Sequence, residues 1–225
     1  MNKFQLEIAC FNLESARTAQ AYGADRVELC ANMKAGGTTP EYDIVEEARK
    51  QLSIRLNVMI RPRGGDFVYS SEEFEEMKKS ITKFKRLDVD GFVFGILDKN
   101  NRINTFQNAA LVKLAHPLPC TFHKAFDIVD DIDQALNDII NCGFTTLLTA
   151  GQGSDVIEGL DVITELVKKA NDKIVIMPGG GLRSSNIKLV HTHTSTSFYH
   201  SSAIVDNTED AAGNEIIKLQ NYLQS

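Results

Sequence analysis

Residues 22–30, Tyr-Gly-Ala-Asp-Arg-Val-Glu-Leu-Cys, join the end of a helical segment to a short apolar strand. Similar short sequences recur at 87–92 and 142–147, where a turn containing Gly or Asp again leads into an apolar run. Glycine and aspartate favour the turns that end helices, and short apolar runs bounded by such turns predict strands. The recurrence therefore predicts a chain built from repeated strand and helix units.

Eight such units can be traced along the chain. The predicted strands are 4–10, 26–30, 54–60, 91–96, 119–122, 145–149, 173–177 and 197–200. The predicted helices are 13–22, 41–51, 71–87, 105–114, 131–141, 158–171, 185–191 and 209–223. Strict alternation predicts a parallel sheet, and eight units favour a closed (β/α)8 TIM barrel over an open sheet. Because 225 residues give roughly 28 per unit, we predict one α/β domain over residues 1–225.

The composition excludes several classes of protein. Hydrophobic residues make up 43% and charged residues 24%, which is typical of a globular protein. The formal net charge of −6 argues against broad binding of nucleic acid or anionic membranes. No apolar run approaches the ~18 residues of a membrane span, and the first residues lack the apolar stretch of a signal peptide. The four cysteines form no CxxC pair, which favours reduced thiols and a cytoplasmic protein.

Two glutamates are predicted to face the barrel interior. On the first two strands the alternate apolar residues most simply pack under the helices, so Glu7, Ala9, Glu28 and Cys30 point inward. Two buried carboxylates are costly unless they are paired or used. Because active sites of this fold lie at the carboxyl ends of the strands, Glu7 and Glu28 are candidate catalytic residues. A structural ion pair is the alternative.

Further charged residues follow the third and fifth strands. Arg61 can turn inward and Arg63 follows in a Gly-rich loop, and guanidinium groups suit carboxylate or phosphate ligands. A structural network with the glutamates is the alternative. At the mouth of strand five, His123 is a candidate general acid or base, or a metal ligand. Asp127 is predicted to orient His123 or to hold a cation.

The loops after strands six and seven are predicted to bind an anion. Three consecutive glycines before a helix expose backbone N–H groups, and loops late in this fold often hold phosphate. A tight turn without a ligand is the alternative. The predicted anion- or substrate-binding residues of these loops are Thr149, Gln152, Gly179, Gly180, Gly181 and Arg183.

The sequences at these strand ends resemble those of the CutC family, whose members are described as copper homeostasis proteins. The matching stretches are 23–30, 36–40, 59–67, 121–127, 148–152 and 177–181, and they cover most of the chain in order. The run at 59–67, Met-Ile-Arg-Pro-Arg-Gly-Gly-Asp-Phe, is highly specific. The resemblance implies a (β/α)8 barrel, a cytoplasmic location, a homo-oligomer (dimer or tetramer) and binding of Cu(I).

The chain departs from the family pattern at a few positions. Cys30 matches the family's second-strand cysteine and is the implied Cu(I) ligand. Ala9 stands where members often have cysteine, and Cys10 lies one residue later, on the opposite face of the strand. Lys124 replaces a usual arginine, Asp88 replaces a turn glycine, and the region after strand eight is short.

Two hypotheses follow for the function. The resemblance implies a copper-homeostasis protein that binds Cu(I) through Cys30. The polar residues of the mouth suggest instead an isomerase, lyase or hydrolase that acts on a small anionic or phosphorylated substrate. In that alternative Glu7, Glu28 and His123 exchange protons while Arg61 and Arg63 position the anion.

Overall fold

A computed structural model describes residues 4–224 of the chain. Its strands are β1 (Gln5–Cys10), β2 (Arg26–Leu29), β3 (Arg55–Met59), β4 (Gly91–Phe94), β5 (Cys120–Phe122), β6 (Thr146–Thr149), β7 (Val175–Pro178) and β8 (Phe198–Ser201). Its α-helices are α1 (Leu13–Ala21), α2 (Tyr42–Gln51), α3 (Ser71–Phe84), α4 (Thr105–Ala115), α5 (Ile132–Cys142), α6 (Leu160–Ala170), α7 (Ile187–Thr194) and α8 (Gly213–Gln224). Short 3-10 turns lie at Met33–Ala35, Lys85–Leu87 and Lys124–Ile128.

The strands form a nearly closed barrel of parallel strands. Their hydrogen-bonded order is β7-β6-β5-β4-β3-β2-β1-β8, and a helix follows each strand. The register places Glu7 opposite both Arg26 on β2 and His200 on β8. The predicted (β/α)8 TIM barrel is therefore confirmed.

The helix ends follow from local hydrogen bonding. A capping box starts α3: the Ser70 hydroxyl accepts from the Glu73 amide, and the Glu73 carboxylate accepts from the Ser70 amide. The Asp131 carboxylate caps α5, which ends at Gly143 with a φ of 91°. Asp88, at the position of a family glycine, has a φ of 54°. Such capping signals explain why the sequence predicts most helices closely.

Several helices begin later than the sequence predicts, and two of them show a local cause. The predicted helix at 209 begins at Gly213, because Asp206 and Thr208 form a local turn and the Ala212 amide donates to the Ala203 carbonyl. The predicted helix at 185 begins at Ile187, because the Asn186 side chain accepts from the Arg183 amide and holds a turn before it.

The apolar core lies between the strands and the helices. Leu6, Ile8, Val27 and Leu29 are fully buried there, which is the face that the alternation predicts. The barrel interior is instead filled largely by polar side chains on the other face of the strands. No helix in residues 4–224 is long and apolar enough to cross a membrane.

Candidate functional site

A charged network fills the barrel interior around Glu7. The Glu7 side chain lies 2.8 Å from Arg26 Nε, and its other oxygen lies 2.7 Å from His200 Nδ1. Asn57 Nδ2 donates to the same carboxylate at 2.8 Å. Burial would raise the pKa of Glu7, but Arg26, His200 and Asn57 together hold it below its usual value. Glu7 is thus ionised, and both of its carboxylate oxygens have hydrogen-bond or ion-pair partners.

Glu28 lies one layer closer to the mouth and behaves differently. Its Oε2 is 3.8 Å from His200 Nε2, and its buried Oε1 has no hydrogen-bond partner in residues 4–224. Burial raises the pKa of Glu28 to about 7, with the charge of His200 opposing that rise. A carboxyl group in this range can take up or release a proton near neutral pH.

A cavity of about 200 Å³ opens above this network at the carboxyl ends of the strands. Glu28, Arg61, His123 and His200 contribute to its floor and walls. The position agrees with the usual site of this fold. Glu7 lies beneath the cavity and does not line it.

One half of the cavity carries soft and apolar side chains. Cys30 and Met59 pack together with Val93, and Ala9 and Phe11 line the same half. An added Cβ on Gly37 would lie 3.4 Å from Cys30 Sγ and 3.7 Å from Met59 Cε, so both side chains meet under this loop. Burial and the nearby Glu28 carboxyl raise the pKa of the Cys30 thiol well above its usual value.

Cys10 lies outside this half of the cavity. It packs in the helix-facing core, and its thiol donates to the Ile8 carbonyl. The pleat of β1 therefore separates Cys10 from Cys30, as the alternation predicts.

His123 lines the cavity as a neutral donor. Its Nδ1 accepts from the Ala125 amide at 3.3 Å, so the ring proton lies on Nε2, which has no partner in residues 4–224. Burial, together with the charge of Arg61, lowers the pKa of His123 to about 3. His123 can donate a hydrogen bond at neutral pH, but it does not take up a proton there.

Asp127 holds a loop instead of orienting His123. Its Oδ1 accepts from the Thr149 hydroxyl and, at 3.2 Å, from the Gln152 amide, and no hydrogen bond joins it to His123 within residues 4–224. Gln152 donates its side-chain amide to the Val129 carbonyl, away from the cavity. The predicted binding roles of Thr149 and Gln152 are therefore not supported by the geometry, because both close the loop after β6.

The side chains of the two arginines after β3 point in different directions. Arg61 is buried at the cavity wall and donates to the carbonyls of Ala35, Gly37 and Gly65 at 2.7 to 2.9 Å. Arg63 points away from the cavity to Glu73 at 2.6 Å and Asp66 at 2.9 Å. The loop reverses between them, so only Arg61 joins the site.

The other half of the cavity is formed by the ends of β5, β7 and β8. Gly180, Gly181, Arg183 and Ser202 line it together with Lys124. Gly179 does not line it: an added Cβ there would lie 2.4 Å from Leu148 Cδ1, so this glycine permits close strand packing.

Sequence reasoning missed three members of the site. His200 bridges Glu7 and Glu28, Asn57 donates to Glu7, and Arg26 pairs with it. The signal was present in the alternation, since His200 follows a fully buried tyrosine on β8 and so faces inward. In the part of the chain that the structure describes, no group of three or more His, Cys, Asp or Glu side chains is placed to hold a metal ion.

Comparisons with known proteins identify the family. The sequence model of the CutC family matches residues 4–205. The human copper homeostasis protein cutC homolog is 41% identical over 202 residues, which cover 90% of this chain and 74% of the human protein. The crystal structure of a CutC copper homeostasis protein from Streptococcus agalactiae has a TM-score of 0.84 and 35% identity, covering 88% of this chain and 98% of that chain.

More distant structures share only the barrel. Thiamine phosphate pyrophosphorylase from Pyrococcus furiosus has a TM-score of 0.67 at 17% identity, covering 99% of this chain and 96% of that chain. At this identity the likeness shows the fold and nothing about the reaction. By contrast, the CutC family model matches residues 4–205, and the human homolog is 41% identical to this chain. This chain belongs to the CutC family.

Proposed function

We propose that this CutC family protein contributes to copper homeostasis by binding Cu(I) at Cys30, with Met59 as the second soft ligand. The observation that carries the proposal is the packing of these two sulfur side chains against each other in the wall of the mouth cavity. Thiolate and thioether sulfur are the ligand types that select Cu(I). The names of the human and streptococcal relatives support the link to copper.

The donor set suits Cu(I) better than a harder ion. The cluster of Cys30 and Met59 offers sulfur, and residues 4–224 hold no cluster of His, Cys, Asp and Glu that a harder divalent ion would need. Ala9 removes a second inward thiol, so Met59 is the neighbouring sulfur that remains.

Glu28 is the proton acceptor in this binding step. A thiol must lose its proton before it binds a metal ion, and the Cys30 thiol is protonated in the protein alone because its pKa is raised. The Glu28 carboxyl lies close enough to the Cys30 thiol to raise its pKa, and both side chains line the same cavity. Glu28 therefore receives the thiol proton as Cu(I) is bound by the Cys30 thiolate.

Titration of the reduced protein with Cu(I) against a competing chelator tests this proposal. We expect Cys30→Ala to abolish competition with the chelator, and Met59→Leu to weaken binding by at least the ~10-fold that follows loss of even an outer-shell partner. Cys142→Ala is the matched control, since Cys142 is a buried free thiol outside the cavity. Equal affinity in Cys30→Ala and Cys142→Ala, with both variants folded by thermal melting, would exclude this site.

The enzyme alternative is not favoured by the comparisons. The human homolog and the streptococcal protein, both above 30% identity, are named for copper homeostasis, and the enzyme among the compared structures shares only the barrel. The cytoplasmic location and the homo-oligomeric state stay predictions. All four cysteines are free thiols, which supports a reducing compartment.

A further inference from the structure

Two guanidinium groups at the mouth cavity, the buried Arg61 and the partly buried Arg183, lack a directly paired carboxylate in residues 4–224. Arg61 is 5% exposed and its hydrogen bonds go to three backbone carbonyls. Arg183 donates to the Leu182 and Ile204 carbonyls and to two serine hydroxyls. The charge of Glu215 acts on Arg183 from a distance, but its carboxylate accepts hydrogen bonds from the Ser184 amide and hydroxyl. Buried charge without a partner is costly, so the cavity favours an anion from outside.

Lys124 adds a third positive charge at the rim. Its ammonium group is 3.8 Å from Asp127, whose carboxylate is already engaged by the loop after β6. An added Cβ on Gly180 would lie 3.0 Å from Lys124 Nζ, so the ammonium group lies directly over this glycine. Gly180 has a φ of 117°, which a side chain would strain.

Hydrogen-bond donors without acceptors converge on the same half of the cavity. The amides of Gly180 and Gly181 donate no hydrogen bond within residues 4–224. The Ser202 hydroxyl accepts from Arg183 Nη2 at 3.1 Å and from the Ile204 amide at 3.4 Å, so its own proton is directed elsewhere. His123 Nε2, directly after β5, is a further buried donor without a partner in residues 4–224. Paired backbone amides beside a cation are a general arrangement for oxyanions.

The residues that line the cavity include fewer carboxyl groups than positively charged groups. Glu28 is the one carboxyl group among the described residues that line the cavity, and it lies beside His200. The net charge of −6 for the whole chain therefore does not indicate the balance of positive and negative charge at the mouth cavity. A donor-rich, cationic pocket of about 200 Å³ suits a small ligand that presents several acceptor oxygens.

We propose that the half of the mouth cavity formed by Lys124, Gly180, Gly181 and Ser202 binds a phosphate-type oxyanion, free or carried by a small molecule. Arg183 is a positioning residue, since it orients the Ser202 hydroxyl and supplies charge from behind it. A phosphate group has three or four acceptor oxygens for these donors, whereas a carboxylate has two. The strand order places this site across the barrel from Cys30 and Met59, so it stands independently of the proposed copper site.

Titration calorimetry at constant ionic strength tests the site with three probes: inorganic phosphate, glycerol 2-phosphate and, as the neutral comparison, glycerol. We expect saturable binding of at least one phosphate probe and none of glycerol. Tighter binding of glycerol 2-phosphate identifies the ligand as a phosphate monoester, and equal or tighter binding of inorganic phosphate identifies free phosphate.

The key variant is Lys124→Gln, which is expected to weaken phosphate binding roughly tenfold or more, since hydrogen bonds to charged groups are the strong ones. Lys169→Gln is its matched control: both lysine side chains are 43% exposed and 3.8 Å or less from an aspartate, but Lys169 lies on α6 outside the cavity. Ser202→Ala provides a second, smaller loss.

Two results would overturn the proposal. One is the absence of saturable binding of both phosphate probes to the wild-type protein. The other is an equal affinity of Lys124→Gln and Lys169→Gln for them. Cys30→Ala is expected to retain phosphate binding, so a failure of the copper proposal and a failure of this one are distinguished.

Discussion

Glu7 and Glu28 lie on neighbouring strands of one barrel interior, yet their carboxyl groups differ in proton affinity. Both are buried, and burial alone raises the pKa of a carboxyl group. Glu7 is surrounded by Arg26, His200 and Asn57, which overcome that effect. Glu28 has only a 3.8 Å approach to His200, so burial prevails and its pKa rises to about 7. Partner geometry therefore decides the chemistry of each glutamate.

Replacing Glu28 with glutamine is expected to remove a pH-dependent loss of stability. The folded-state pKa of about 7 lies above the unfolded value near 4.5, so the folded protein binds this proton more tightly. The stabilisation is complete below pH 4.5 and is lost as the pH rises to 7, a change of roughly 3 kcal/mol. Glu28→Gln should flatten this part of the profile. Urea unfolding between pH 4.5 and 8 measures it.

Glu7→Gln is the contrasting variant for the same measurement. It leaves Arg26 buried without its counter-ion, which typically costs about 3–5 kcal/mol. The pKa of Glu7 is lowered in the folded state, so its contribution is present above the unfolded value near 4.5 and is lost as the pH falls further. A Glu28→Gln profile as steep as that of the wild type would contradict the assignment of the titration to Glu28.

At the scale of elements, alternation along the strands predicts the interior well. It places Glu7, Glu28 and Cys30 inside the barrel because the pleat fixes the direction of every second side chain. The loops lack such a rule. Arg61 and Arg63 are two residues apart, but the chain reverses between them and only Arg61 reaches the cavity.

The loop after β6 shows the same limit. Thr149 and Gln152 are polar residues at a strand mouth, yet both point to loop partners: the Thr149 hydroxyl donates to Asp127, and the Gln152 side-chain amide donates to the Val129 carbonyl. A contact between residues 22 positions apart in sequence is not encoded in either local pattern. The candidate site could thus be predicted on the strands and only in part in the loops.

Gly159 controls how closely α6 approaches the end of β6. An added Cβ would lie 1.8 Å from the Ala150 carbonyl oxygen, so the loop must move for any side chain. We expect Gly159→Ala to destabilise the fold by several times the ~1 kcal/mol typical of single substitutions. Chemical denaturation measures the difference.

Gly23→Ala is the comparison for Gly159→Ala. Gly23 has a φ of 90° but nothing lies within 4 Å of an added Cβ, so only backbone strain of about 1–2 kcal/mol is expected. An equal loss in the two variants would show that the close approach of Gly159 to Ala150 carries no special cost.

At the scale of the whole molecule, charge is distributed unevenly. The chain carries a net charge of −6, but its mouth cavity gathers Arg61, Lys124 and Arg183 around one carboxyl group. These three residues are far apart in sequence and meet only because eight strands end at the same rim. A composition reports the total charge, whereas the barrel decides where it concentrates.

Barrel closure is also a property of the whole molecule. β7 and β8 stand at the two ends of the hydrogen-bonded strand order. Side chains bridge this seam: the Thr196 hydroxyl donates to the Ile176 carbonyl of β7, and the Ser201 hydroxyl donates to the Leu182 carbonyl at 2.6 Å. These buried hydroxyls replace part of the backbone ladder that joins the other strands.

Thr196→Val is therefore expected to weaken the seam. Valine keeps the shape of threonine but leaves the Ile176 carbonyl without its donor, which costs about 1–3 kcal/mol for a buried acceptor. Thr192→Val is the control, because the exposed Thr192 hydroxyl donates to the Lys188 carbonyl within α7. Urea unfolding gives the stability change, and native-state hydrogen exchange should show faster exchange of β7 amides in Thr196→Val only. Equal changes in both variants would mean that the backbone contacts of β7 and β8 close the barrel without this hydroxyl.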